Sequence, residues 1–301
     1  MIFMFDDIKD VDIFEYRKSK EVKYGNYCRK LRRTDTSIKK SVRTTEGYVD
    51  IYIYYPKKIM TDVVYFNMHG GGMCLAEFEL DIPYCQKISE EIGCIVVNVD
   101  YLVAPEYKFP KSYTTTYEVL KYCNDNRDEF NFGKAKFVVG GNSAGGQIAA
   151  ALVQLENEDN QDFIYGLVMN YAPCNQSIDK SIDVDLNKVI NPNRIRQYQA
   201  WEYNEPSELN HPLSNLLNSN PKIYPPTLEN ISEFDSLRDG EEKFAQKLQS
   251  NGIFVDLKCY QGCQHGFTHE NLKEFDKEAS EDAWLRIETF LKKISEGGEE
   301  L

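Results

Sequence analysis

Ser143 stands in Gly140-Gly141-Asn142-Ser143-Ala144-Gly145-Gly146, directly after the apolar run Phe137-Val138-Val139 and ahead of a helical pattern from Gln147 to Glu156. A G-x-S-x-G turn between a strand and a helix exposes its serine, and glycines at 141 and 145 leave room for the tight backbone. The helix N-terminus adds free N–H groups and the positive end of a dipole, which favour a developing negative charge. That pattern suits a nucleophilic serine; the plainer alternative is a glycine-rich turn with an N-capping serine. A second glycine signal, His69-Gly70-Gly71-Gly72, follows the apolar run Val63 to Met68. Glycines there let the backbone approach a ligand and aim N–H groups at it, and the Ala144 amide adds a donor, as an oxyanion hole needs. Taken alone the stretch would be a flexible turn, but two such signals at strand ends reinforce each other.

A nucleophilic serine needs a base, and the chain holds four histidines. His69 belongs to the glycine loop and His211 precedes Pro212. His265 lies in Gly262-Cys263-Gln264-His265-Gly266-Phe267, after an expected strand from Phe254 to Tyr260. Loops at the C-terminal ends of strands are where open α/β sheets build their sites, so His265 is the expected base. His269, nearer a helix start, reads as a surface or capping residue. The orienting acid should fall between serine and histidine in chain order. Glu233-Phe234-Asp235-Ser236-Leu237-Arg238-Asp239 follows the expected strand from Pro226 to Ile231. Asp239, with Glu242 three residues on, reads as a capping box, whereas Asp235 has no such explanation and is the expected acid. Asp239 and Glu233 remain alternatives. Cys259, Cys263, His265 and His269 have zinc-ligand types, but no second Cys-x-x-Cys exists and glycines interrupt the stretch, so no metal is expected.

These groups need a scaffold. Ile51 to Tyr55, Val63 to Phe66, Cys94 to Val97, Phe137 to Val139 and Tyr165 to Met169 read as strands, with two more at 226–231 and 254–260. Continuous apolar runs suit strands buried on both faces, hence a mostly parallel sheet. Helices fit between them: Leu80, Tyr84, Ile88 and Ile92 recur at four-residue spacing, Ser112 caps a helix carrying Tyr113, Tyr117 and Leu120, Phe244 and Leu248 share a face that ends at Gly252, and Trp284, Ile287, Leu291 and Ile294 form a terminal stripe. The alternation predicts a doubly wound α/β domain. Residues 1–45, charged and weakly periodic, and an Asn-, Ser- and Pro-rich insertion at about 174–224 do not fit it. Both are expected to cap the sheet, with a catalytic domain over 46–301, and Tyr198, Trp201 and Tyr203 could line a channel there.

Composition narrows the function. Thirty-five Lys+Arg against 48 Asp+Glu give a net charge of −13, which repels phosphate backbones and anionic membranes. Hydrophobic residues at 42% and aromatics at 13% exclude disorder as the main state. The first residues, Met1-Ile2-Phe3-Met4-Phe5-Asp6-Asp7, lack the basic start and long apolar stretch of a secretory signal, so a soluble cytoplasmic protein is expected. Eight cysteines, mostly within apolar segments, are then small buried hydrophobes.

Together His69-Gly70-Gly71-Gly72, Asp100-Tyr101-Leu102-Val103-Ala104-Pro105-Glu106, Gly141-Asn142-Ser143-Ala144-Gly145-Gly146, Asp235-Ser236-Leu237-Arg238-Asp239 and His265-Gly266-Phe267 resemble the hormone-sensitive-lipase family of α/β-hydrolase esterases, over roughly residues 48–293. The chain departs from that family's usual residues at Asn142 (often Asp), Leu102 (usually Arg), Val103 (usually Leu), Ser236 (usually Pro) and Gln147 (commonly Asn). The resemblance implies an eight-stranded α/β-hydrolase sheet with a helical cap and a serine carboxylesterase acting on short- to medium-chain acyl esters. It also implies a Ser143, His265 and Asp235 triad, an oxyanion hole from the Gly71, Gly72 and Ala144 amides, and no cofactor. The expected partner is a small-molecule ester, with a homodimer left open. Two other functions stay open: a catalytically silent small-molecule binding protein on the same fold, and an amidase.

Overall fold

The computed structural model describes residues 12–176 and 188–297. Its frame is an eight-stranded sheet in the order β1-β2-β4-β3-β5-β6-β7-β8. The strands are β1 (Ile38–Arg43), β2 (Tyr48–Tyr54), β3 (Val63–Met68), β4 (Ile95–Asp100), β5 (Lys136–Asn142), β6 (Ile164–Asn170), β7 (Thr227–Phe234) and β8 (Val255–Gln264). From β4 to β8 every neighbouring pair is parallel, while β1 and β2 add on antiparallel. The central strands are buried on both faces, as their unbroken Val, Ile and Phe runs require.

Each face carries its own helices. One holds α2 (Ile82–Ile92) and α7 (Lys277–Ser295), whose Ile88, Ile92, Trp284 and Leu291 pack on Val63, Val96 and Val138. The other holds α3 (Lys111–Asp125), α4 (Ala144–Glu158) and α6 (Arg238–Gln249) over Phe66, Val97 and Phe137. Ends follow from local chemistry: Asp276 accepts the Ala279 amide to start α7, and Gly93, left-handed at φ 64°, closes α2 by donating to Ser89.

Four details differ from the sequence expectation. The segment expected as a cap over residues 1–45 contains β1, an exposed edge strand whose Lys39 and Lys40 hide it from a hydrophobicity search. The same segment contains a 22-residue helix, α1 (Ile13–Thr34), started by the Asp12 side chain. In α3, Pro110 occupies the N-cap and Ser112 lies inside the first turn. In α6, Leu237 is the N-cap, so Asp239 is a first-turn residue and no capping box forms. The insertion contains α5 (Pro192–Glu202) and short 3₁₀ turns; its residues 177–187 lie outside the described residues.

Candidate active site

β5 ends at Asn142 and α4 begins at Ala144, so Ser143 alone makes the turn. Its φ of 52° and ψ of −122° are strained for a residue with a side chain. The turn holds because a Cβ at Gly141 or Gly145 would run into the Met68 carbonyl oxygen, and only glycine fits at either. The Ser143 hydroxyl donates to His265 Nε2 at 2.9 Å, and His265 Nδ1 donates to Asp235 Oδ2 at 2.6 Å. Asp235 is buried, and its second oxygen accepts the Leu237 amide at 3.0 Å. Three strand ends thus bring together the serine, base and acid expected from the sequence.

The remaining candidates separate. Asp239 lies in the first turn of α6 and pairs with Lys243 at 2.6 Å. Glu233 accepts the Gly262 amide at 2.6 Å, holding the irregular pairing of β7 with β8. His211 supports its own turn, accepting the Leu213 amide. His69 is buried and stacks on Tyr101 at 4.1 Å. His269 is not a surface or capping residue. It is 5% exposed and bonds Asp81 Oδ1 through Nε2 at 2.7 Å. Cys259 and Cys263 do not join His265 and His269, whose ring nitrogens face Asp235 and Asp81.

Gly71 and Gly72 adopt φ of 122° and 59°, and Gly70 packs against the Ser143 Cβ. Among the described residues the Gly71, Gly72 and Ala144 amides donate to no protein acceptor. These amides and the Ser143–His265 pair face one cavity of about 700 Å³. Its outer wall comes from elements the sequence left vague: Tyr16 and Tyr24 of α1, Arg194 and Tyr198 of α5. The Tyr16 and Tyr198 hydroxyls are bonded at 2.8 Å, and the Arg194 guanidinium lies 3.8 Å over the Tyr16 ring. Trp201 stacks behind Tyr16 and Tyr203 packs on Phe109, so of the three aromatics expected to line the channel only Tyr198 does. Arg17 clamps α1 to the loop after β4, donating to Glu106 at 2.6 and 2.8 Å and to the Cys74 carbonyl at 2.8 Å. That guanidinium holds the Glu106 carboxyl below its ordinary range. Burial pushes the Glu202 carboxyl, at the cavity wall, up to about 8.

Tyr171, which no sequence signal marked, sets its ring edge-to-face on His265 at 4.9 Å. Burial raises its phenol above the ordinary range. Among the described residues no group of three or more His, Cys, Asp or Glu is placed to hold a metal, and no helix is long and apolar enough to cross a membrane.

A family profile described as alpha/beta hydrolase fold matches residues 63–269. An AB hydrolase superfamily protein of Schizosaccharomyces pombe is 29% identical over 212 residues, 65% of this chain and 61% of that protein. An arylesterase of Saccharolobus solfataricus is 27% identical over 226 residues, 70% of each chain. The solved structure of an esterase from Pyrobaculum calidifontis superposes with a TM-score of 0.82, covering 95% of this chain and 94% of that one at 23% identity. At that identity the likeness is one of fold.

Proposed function

The chain belongs to the α/β-hydrolase family, in its hormone-sensitive-lipase-like branch, and from that premise we propose that it is a serine carboxylesterase for short- to medium-chain acyl esters. The arylesterase and acetyl esterase names among its relatives support ester hydrolysis in general. The observation that carries the finer reading is the Ser143–His265–Asp235 chain, at 2.9 and 2.6 Å, opening onto a cavity edged by undonated glycine amides.

Ser143 Oγ attacks the ester carbonyl carbon as His265 Nε2 takes its proton, and Asp235 holds the imidazole in the tautomer that can accept it. The carbonyl electron pair moves to oxygen, where the Gly71, Gly72 and Ala144 amides receive the charge. When the intermediate collapses, the C–O bond to the alcohol breaks and His265 protonates the leaving oxygen. Water then attacks the acyl-enzyme carbonyl as His265 takes its proton; the C–Oγ bond breaks, His265 returns that proton to Ser143 Oγ, and the acid is released. All groups come from the chain. Eight free thiols, most of them buried, suit a reducing compartment and support a cytoplasmic setting.

The test is hydrolysis of p-nitrophenyl butanoate by wild type and Ser143→Ala. Loss of the nucleophile leaves only binding and oxyanion stabilisation, so kcat falls by about 10⁴ or more while the fold is kept. A variant retaining a tenth of turnover overturns the assignment, and an inactive wild type that still binds esters would make it a binding protein.

A further inference from the structure

Five neighbouring strands each carry a buried asparagine: Asn98 of β4, Asn67 of β3, Asn142 and Asn170 at the ends of β5 and β6, and Asn230 midway along β7. All five are no more than 2% exposed, and register sets Asn98 beside Asn67, Asn142 beside Asn170 and Asn170 beside Asn230. Their carboxamides form a hydrogen-bonded ladder. Arg286 donates to Asn230 Oδ1. Asn230 Nδ2 donates to Asn170 Oδ1 at 2.8 Å, and Asn170 Nδ2 to Asn142 Oδ1 at 2.8 Å. Asn142 Nδ2 ends on Asp81 Oδ2 at 3.3 Å, an oxygen that also accepts from Asn67 at 2.8 Å. Asn67 in turn bonds Asn98 at 3.0 Å.

A guanidinium only donates and a carboxylate only accepts, so Arg286 and Asp81 fix the direction of every amide between them. Asp81 itself is held by His269, whose other nitrogen faces the Tyr171 hydroxyl at 3.1 Å; the Tyr171 ring rests on His265. Both ends of the ladder's last step therefore connect to the reacting pair: Asn142 directly precedes Ser143, and Asp81 reaches His265 through His269 and Tyr171. Ser143 and Tyr171 carry positive φ values of 52° and 39°, which persist only where the surroundings over-determine them. A fully satisfied buried network supplies that rigidity.

We propose that Asp81 and His269 are positioning residues, which through this ladder hold the Ser143 turn against His265. The inference rests on the serine-hydrolase reading of Ser143. It also explains the amide at 142, because an aspartate there would set a second buried carboxylate against Asp81.

The experiment compares Asn142→Asp, Asp81→Asn and the double variant by kcat and KM on p-nitrophenyl butanoate, and by the rate at which a fluorophosphonate labels Ser143. A misplacement of about 1 Å costs roughly 10²-fold, so Asn142→Asp should lose about that much kcat with KM nearly unchanged. The double variant, which moves the acid across the contact, should recover a large part of the loss. Turnover untouched by Asn142→Asp, or a double variant as poor as the two losses multiplied, overturns the proposal. If Asn142→Asp does not fold, His269→Gln, which keeps a donor to Asp81, should retain the labelling rate that His269→Leu loses; equal rates overturn the proposal. A wild type that labels at Ser143 yet hydrolyses no ester defeats the esterase reading alone, since the labelling rates still report the ladder.

Discussion

Asp235, just past the end of β7, and Asp239, in the first turn of α6, are close in sequence but have very different surroundings. Asp235 is buried against His265, whereas Asp239 is part-exposed and pairs with Lys243 at the start of α6. Asp235→Asn should cost about 10⁴ in kcat, because His265 is freed to take the wrong tautomer. Asp239→Asn removes an i,i+4 pair worth about 0.3–0.5 kcal/mol and should leave turnover intact. Steady-state kinetics and melting curves on both variants decide it, and reversed effects would make Asp239 the acid. Glu229, buried in β7 with one carboxylate oxygen unpartnered, gives a second prediction. Burial raises its carboxyl from 4.5 to about 8, so the folded state keeps a proton that the unfolded chain releases. Its contribution is complete below 4.5 and is lost as pH rises through about 8. Glu229→Gln cannot ionise, so its melting temperature should gain on wild type between about pH 5 and about pH 9; a constant gap refutes the assignment. Sequence made Ser143, His265 and Asp235 legible because turn glycines and chain order are local signals. His269 was misread because the group that buries it, Asp81, lies 188 positions away.

Elements were legible where burial is two-sided. The apolar runs of β3, β4 and β5 declare themselves, as do the stripes of α2 and α7. β1 does not, because an edge strand carries lysines outward, and α1 does not, because only Ile13, Tyr24, Gly25 and Leu31 of its 22 residues are buried. Yet α1 forms a wall of the cavity through Tyr16 and Tyr24, held by the Arg17 contacts with Glu106 and the Cys74 carbonyl. Arg17→Met keeps the apolar stem and removes those charge-assisted bonds, each worth roughly 1.5–3 kcal/mol at most. The wall should loosen while the Ser143–His265 geometry stays, so KM for p-nitrophenyl butanoate should rise more than kcat falls. A fall in kcat at fixed KM would show that α1 acts on the chemistry instead.

At the scale of the whole molecule, the question is how much acyl chain the protein can hold. Each methylene taken from water onto apolar surface contributes about 0.8 kcal/mol, but only while apolar surface lasts. The cavity is about 700 Å³, and its lining mixes apolar side chains with four lysines. The glycine loop, Leu75 and Tyr198 share it with Lys20, Lys23, Lys188 and Lys273. Tyr198 also closes over the loop, since its ring lies 2.7 Å from where a Cβ on Gly72 would stand. A cavity of finite size shared with ammonium groups stops gaining once its apolar surface is covered, so each further methylene adds little. The net charge of −13 adds a second limit, because it disfavours docking on the anionic surfaces where long-chain lipids reside. Acetyl to hexanoyl esters should therefore be the best substrates. The deciding quantity is kcat/KM for p-nitrophenyl butanoate over that for the dodecanoate, expected well above one. A ratio below one would mean that the lysines swing aside and α1 and α5 enclose a long acyl tunnel, and the short-chain assignment would fall with the triad left standing.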